Sequence, residues 1–356
     1  MTDRSPSDGK PLGAVPRETA FPAAEVLHRD GILEIPGVLP LHGGESLTGV
    51  RIGWRLSGKD GAPIVVALGG ISADRRVYMP PGAGAAGWWR EVVGPGLALP
   101  VDRLRVLSFD YLGGGAESSG PREGVVFPSV STYDQADALC RLLNHLGVRR
   151  LRAIVGASYG GMVALAFAER YPDRVEHIVA ISAADRAHPM ATAWRSVQRA
   201  MIRFALEHGR ASEGVQLARA LAMATYRSAE EFSARFDDAP VREAGRFVFP
   251  VERYLLARGQ EYAARQSPLS LLTLSESIDL HRIDAAAVQT PVTAIAIRED
   301  QLVPLADMRA LVARLPRAQL HELSSVYGHD AFLKEGEALR PLLASLWQST
   351  RGKDAE

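Results

Sequence analysis

Three polar residues of this 356-residue chain sit at points where an apolar run breaks into a loop: Ser158 in GASYGG, Asp300 in AIREDQLVP and His329 in SSVYGHDAF. A serine hydroxyl is a poor nucleophile at neutral pH. It becomes a good one beside a histidine that takes its proton, itself oriented by a carboxylate. Gly-x-Ser-x-Gly also arises by chance, because glycine eases tight turns and serine caps helices. The motif takes its meaning from its partners, and one known arrangement of such triads runs serine, acid, histidine along the chain, as here. Glu299 stands next to Asp300 and is a second candidate acid. Most of the nine histidines look solvated or packed: His321 lies inside a strand pattern, and His145 and His208 lie near helix ends. His329 follows Gly328 in a loop after an apolar run, where a base is needed. Acyl chemistry also needs two N–H groups for the oxyanion. By position these are Tyr159, after the serine, and Ile71, in VVALGGISAD, although paired glycines also serve a plain tight turn.

The elements that must carry these residues are legible as an alternation. PIVVALGG, RLRVLSFD, LRAIVG, VEHIVAIS and PVTAIAI are unbroken apolar, β-branched runs suited to strands buried on both faces of a parallel sheet, and AQLHELS is a weaker one. Helical patterns lie between several of them: TYDQADALCRLLNHLG, MVALAFAERYP and LADMRALVARLP, closed by Gly147, Pro172 and Pro316. Strand alternating with helix predicts a doubly wound α/β sheet. Ahead of it, GILEIPGVLPLHGGESLTGVRIGWRLSG predicts antiparallel edge strands. Between Ser182 and Pro291 the pattern is almost entirely helical, from ATAWRSVQRAMIRFALEHG to SLLTLSESIDLHRI. A crossover needs only about a dozen residues, so this stretch reads as a helical cap over the C-terminal edge of the sheet, where open α/β sheets bind ligands. The expected division is a flexible tail over 1–30, an α/β-hydrolase core over 31–184 and 286–350, and a cap insertion over 185–285.

Composition narrows the classes. Hydrophobic residues at 47% support a sizeable core, and 41 basic against 41 acidic residues leave no field for nucleic acid. A single cysteine, Cys140, excludes an intramolecular disulfide. No run is long enough to span a bilayer and the N-terminus lacks a signal-peptide core, so a soluble cytoplasmic protein is expected, without membrane or nucleic-acid partners.

GASYGGMVAL, the DQLVP run, YGHDAFLKE, AMATYRSAEEFSARF and HPMATAWRSVQR together resemble the homoserine O-acyltransferase family of α/β-hydrolase-fold enzymes, over roughly residues 40 to 345. The resemblance implies transfer of an acyl group from acyl-CoA to the hydroxyl of L-homoserine, an activation step of methionine biosynthesis. It implies no metal and no cofactor beyond acyl-CoA as co-substrate, and it suggests a homodimer through the helical insertion. Ser158 then resembles the nucleophile, His329 the base, and Asp300, through its DQLVP turn, the acid. Arg227 resembles the residue that holds the amino acid's carboxylate, and Asp330 the one that meets its amino group, where a bland surface ion pair is the alternative. GGISA replaces an HALTG-like loop, and with FDYLGGG and AWRSVQR it looks more like the succinyl-transferring branch. Succinyl-CoA carries a terminal carboxylate that an apolar pocket would desolvate at a cost of several kcal/mol. Arg195 is the expected partner for it, with a merely basic helix face shared with Arg199 as the alternative.

The rival readings are an acetyl donor, L-serine as acceptor, an esterase or thioesterase using water, and a non-catalytic scaffold. Arg227 and Asp330 separate the transferase from a simple hydrolase, and the complete triad separates an enzyme from a scaffold.

Overall fold

The computed structural model describes residues 26–346. Strand β1 (Leu27–Pro40) pairs antiparallel with β2 (Ser46–Gly58), as the Gly- and Pro-punctuated segment predicts. β1 already begins at Leu27, opposite Gly58, so residues 27–30 are strand and not tail. Residues 1–25 and 347–356, including most of the expected tail, lie outside the described residues.

The sheet continues through β3 (Ile64–Leu68), β4 (Arg105–Phe109), α1 (Thr132–His145), β5 (Ala153–Ala157), α2 (Tyr159–Arg170) and β6 (Ile178–Ile181). The chain then runs through α3 (Pro189–Glu207), α4 (Ala211–Tyr226), α5 (Ala229–Arg235), β7 (Val241–Glu243), β8 (Arg246–Val248), α6 (Pro250–Ala263) and α7 (Pro268–Asp279). It returns to the sheet with β9 (Val292–Ile297), α8 (Leu305–Arg314) and β10 (Ala318–Leu323), and ends with α9 (Ala331–Lys334) and α10 (Gly336–Leu343). The strand order is β1-β2-β4-β3-β5-β6-β9-β10, parallel from β4 onward. This is an α/β-hydrolase fold.

The apolar runs explain the layering. Every residue of β3, β5 and β6 is buried, because alternate side chains enter opposite cores. Val66 and Leu68 pack with α1 and α2, while Val65 and Ala67 pack with Trp89, Leu339 and Leu343. β10, at the edge, is only half-buried, which is why its run is weak in the sequence.

The order reverses at β3: the chain goes from β3 to β4 on one side and to β5 on the other. At such a point the connecting loops part and leave a crevice. The loops after β3 and β5 are those that carry Ile71 and Ser158.

Helices α3 to α7 form the insertion, and its two ends meet. Arg186 and Arg282 form an isolated antiparallel bridge, and the Ile283 N–H donates to the Asp185 carbonyl at 3.0 Å. One element departs from the almost entirely helical pattern expected: β7 and β8 form a small antiparallel hairpin. Ala244 and Gly245 turn it with φ of 45° and 83°, the two positive values a two-residue hairpin turn requires.

Candidate active site

Ser158 is set by main-chain geometry. It follows β5 directly and has φ 55° and ψ −123°, a conformation that costs an L-residue about 1–3 kcal/mol. The turn is so tight that neighbouring backbones touch. A Cβ on Gly156 would lie 2.1 Å from the Gly160 carbonyl oxygen, and one on Gly160 would lie 2.4 Å from that of Leu68. The glycines of GASYGG therefore serve close approach, while the positive φ falls on the serine itself.

The three sequence-predicted residues meet in a hydrogen-bonded chain. Ser158 Oγ is 2.8 Å from His329 Nε2, and His329 Nδ1 is 2.7 Å from Asp300 Oδ2. With the proton on Nδ1 donated to the carboxylate, Nε2 is free to accept from the serine. Asp300 is fixed in turn: its Oδ1 accepts from the N–H groups of Leu302 at 2.9 Å and Val303 at 3.0 Å. Glu299, the neighbouring candidate, braces the other loop instead, accepting from Ser324 Oγ and from the Ser325 N–H at 2.8 Å. His329 is almost fully buried. Burial lowers its pKa, but the charge and hydrogen bond of Asp300, with the charge of Asp330, outweigh burial and hold it above the usual imidazole value. A base raised toward neutrality is well matched to taking and returning a proton.

The N–H groups expected as oxyanion donors stand where the two loops meet. Tyr159 is the first residue of α2, so its N–H has no acceptor within the helix. In the facing loop, the Gly69 carbonyl accepts from the Gly160 N–H at 2.9 Å and the Tyr111 hydroxyl at 2.8 Å. The Gly70 carbonyl accepts from the Ala73 N–H at 2.9 Å, which turns the Ile71 N–H the opposite way. A Cβ on Gly70 would sit 4.0 Å from Ser158 Oγ, so this loop passes directly beside the hydroxyl. Tyr111, which no sequence motif singles out, is buried against Tyr159 edge-to-face at 4.9 Å. Its only sequence signal is its place in FDYLGGG, right after β4.

Ser158, His329 and Asp330 open onto a cavity of about 800 Å³ between the sheet edge and the insertion. That size suits a small organic substrate. Asp330 lines it, whereas Arg227 is not among the lining residues. The two are in contact: Arg227 Nε donates to Asp330 Oδ2 at 3.0 Å, and its Nη1 donates to Glu231 at 3.1 and 3.2 Å. The guanidinium also lies over the Tyr327 ring, 5.3 Å from its centroid. Arg195 lines the cavity but is engaged: its Nε and Nη2 both reach Asp279 Oδ1, at 2.8 and 2.6 Å, while Arg199 Nη1 takes Oδ2 at 2.6 Å. Burial pushes the Asp279 carboxyl up, but Arg195, Thr192 and Arg199 together hold it below the usual range.

The arrangement can remove a proton from Ser158, stabilise a tetrahedral oxyanion and return the proton to a leaving group. Residues 75–336 match the family model described as the alpha/beta hydrolase fold. The chain is 43% identical to the homoserine O-succinyltransferase of Xanthomonas campestris pv. campestris, over 85% of this chain and 80% of that one. The chain belongs to the homoserine O-acyltransferase family. It is also 36% identical to the homoserine O-acetyltransferase of Symbiobacterium thermophilum, over 83% of this chain and 88% of that one. Among solved structures, the homoserine O-acetyltransferase from Bacillus anthracis superposes with a TM-score of 0.82 at 18% identity, covering 91% of this chain and 98% of that one. Such family members differ in the acyl group their names carry, so the donor must be read from this chain's own cavity.

Proposed function

We propose that this protein transfers a succinyl group from succinyl-CoA to the side-chain hydroxyl of L-homoserine by a two-step exchange on Ser158. The observation that carries the reading is the Ser158–His329–Asp300 hydrogen-bonded chain opening onto a cavity that also presents Asp330. His329 takes the serine proton as Oγ attacks the thioester carbonyl. The N–H groups of Ile71 and Tyr159 hold the oxyanion, and the CoA thiol leaves with the proton from His329. Homoserine then enters, and its ammonium meets the Asp330 carboxylate. Arg227 supplies positive charge for the substrate carboxylate, turning donors that Glu231 now occupies. His329 deprotonates the homoserine hydroxyl, which attacks the acyl-enzyme and releases the product and Ser158. Helices α3 to α7, standing over the cavity, keep water from competing at that stage.

The similarity to a homoserine O-succinyltransferase supports the donor. The test is CoA release from succinyl-CoA with L-homoserine, with L-serine and with no acceptor, repeated with acetyl-CoA. Steady-state release, beyond one equivalent per enzyme, should require homoserine and favour the succinyl donor. Equal release without any amino acid would make the protein a thioesterase.

A homodimer and a cytoplasmic setting complete the proposal. A free, buried cysteine suits a reducing compartment. Along α3, Met190, Val197 and Phe204 are exposed at seven-residue spacing, with the small exposed Ala193 and Ala200 between them. That is the seam of a helix pair, and a second copy of α3 is its natural cover. Phe204→Glu should convert a dimer to a monomer in light scattering; a wild-type monomer would refute the dimer.

A further inference from the structure

The loop after β3 carries Ile71, and an oxyanion donor is useful only while its loop is held in place. At its near end, the Gly69 carbonyl is tethered to the Tyr111 hydroxyl. Its far end is tethered as well. The Arg75 N–H, four residues beyond Ile71, donates to Asp110 Oδ1 at 2.8 Å, and Arg75 Nη1 donates to Asp110 Oδ2. One carboxylate thus takes the main chain of Arg75 on one oxygen and its guanidinium on the other. Asp110 and Tyr111 are consecutive and follow β4 directly, so a single dipeptide grips the loop at both ends.

Asp110 is itself firmly held. Its main-chain N–H donates to the Gly53 carbonyl of β2 at 2.9 Å, and its carbonyl accepts from Ser118 Oγ at 2.5 Å. Its Oδ2 accepts a further N–H, that of Glu117, at 3.2 Å. β2 leaves room for this carboxylate: a Cβ on Gly53 would lie 2.8 Å from Oδ2. The side chain is 3% exposed, and burial pushes its pKa up against the opposing pull of Arg75 and Glu117. A carboxylate in such a place is a poor device for stability, because neutral groups often match or better a buried ion pair. Its benefit lies in what it holds. Asp110 also lines the cavity, but both of its oxygens are engaged by the protein.

We propose that Asp110 is a positioning residue for acyl transfer: through the main chain of Arg75 it fixes the far end of the loop after β3, and with Tyr111 it keeps the Ile71 N–H aimed at the oxyanion. This assignment rests on the acyl-enzyme reading above, in which an oxyanion forms each time the acyl group moves.

The experiment mixes enzyme with excess succinyl-CoA in the absence of acceptor and follows the burst of CoA release. It yields a burst amplitude, a limiting rate constant and a half-saturating donor concentration. Asp110→Ala should lower the limiting rate constant on the order of 100-fold. Its half-saturating concentration should stay within about twofold of wild type, with a full burst amplitude. Asp110→Asn, whose amide oxygen can still accept from the Arg75 N–H, should lose only about tenfold, so the effect can be read even if the alanine variant is insoluble. A boronic acid that forms a tetrahedral adduct with Ser158 should bind each variant more weakly by a similar factor. An unchanged rate constant in Asp110→Ala would overturn the assignment. So would a smaller burst at unchanged rate, which reports misfolding, or a raised half-saturating concentration at unchanged rate, which reports a substrate contact. A wild type without any burst would defeat the acyl-enzyme reading itself and this assignment with it, and that result needs no variant.

Discussion

The two walls of the cavity are built on different principles. On the sheet side, backbone places Ser158 by its positive φ, Asp300 by two main-chain N–H groups and the loop after β3 largely by its own carbonyls, and Asp300 in turn orients His329. On the insertion side, Arg195, Arg199, Arg219, Tyr226 and Tyr262 reach in as long side chains from α3, α4 and α6. Backbone positioning fixes atoms within a fraction of an ångström, as bond making demands. Long side chains on helices can be exchanged without moving the scaffold, as a choice of acyl group demands. The comparison thus sets a wall whose atoms are fixed by backbone against a wall of helix-borne side chains, and each should fail in its own way.

The largest effect is expected on the sheet side. Asp300→Asn keeps the shape but loses the charge that orients and raises His329, and kcat should fall by roughly 1,000- to 10,000-fold. The sign of the pH effect also follows. The reactive imidazole is neutral, and its pKa is held above 6.5, so wild-type kcat/KM should be lost as pH falls through a midpoint above that value. In Asp300→Asn the larger raising influence is gone and only that of Asp330 remains, so the acid limb of the residual activity should move to lower pH. An unmoved limb in the pH profile would contradict the assignment of Asp300.

A change on the insertion side should cost stability before chemistry. Asp279→Asn leaves Arg195 and Arg199 without their shared carboxylate, in a site where all three side chains are 11% exposed. Breaking such a partly screened pair should cost about 2–4 kcal/mol in denaturant unfolding at neutral pH. Because the folded carboxyl is held below its ordinary pKa, the wild-type advantage exists above that pKa and fades as pH falls through the folded value. Wild type and variant should therefore converge in acid. A variant that is as stable as wild type but inactive would blur the distinction between the walls.

The smallest effect sharpens the boundary. Tyr111→Phe removes only the hydroxyl that holds the Gly69 carbonyl, and kcat should fall by about tenfold with KM unchanged. A change in KM alone would move Tyr111 to the selecting side.

This division also explains which residues the sequence makes legible. Ser158 and Asp300 each follow an apolar, β-branched run and His329 follows the weaker run of β10, so the strand pattern points at all three. Asp300 and Glu299 are separable only through the turn that follows, because they are adjacent in the loop just after β9. The arginines are harder. Arg195 and Arg219 lie in ordinary amphipathic helices, where spacing records which face is buried but not which carboxylate or ring waits across the cavity. Asp279 and Tyr262, their partners, come from helices far along the chain. The β7–β8 hairpin leaves a readable trace in EAGR, a two-residue turn between short apolar segments, but the helical patterns on either side mask it.

The central claim is that Ser158 carries the acyl group between donor and acceptor. Wild-type protein mixed with succinyl-CoA in the absence of homoserine should gain one succinyl group, located on Ser158 by peptide mass spectrometry and discharged when homoserine is added. Ser158→Ala should gain none and transfer none. A Ser158→Ala protein that still forms succinylhomoserine, or a wild-type adduct that homoserine does not discharge, would contradict the account.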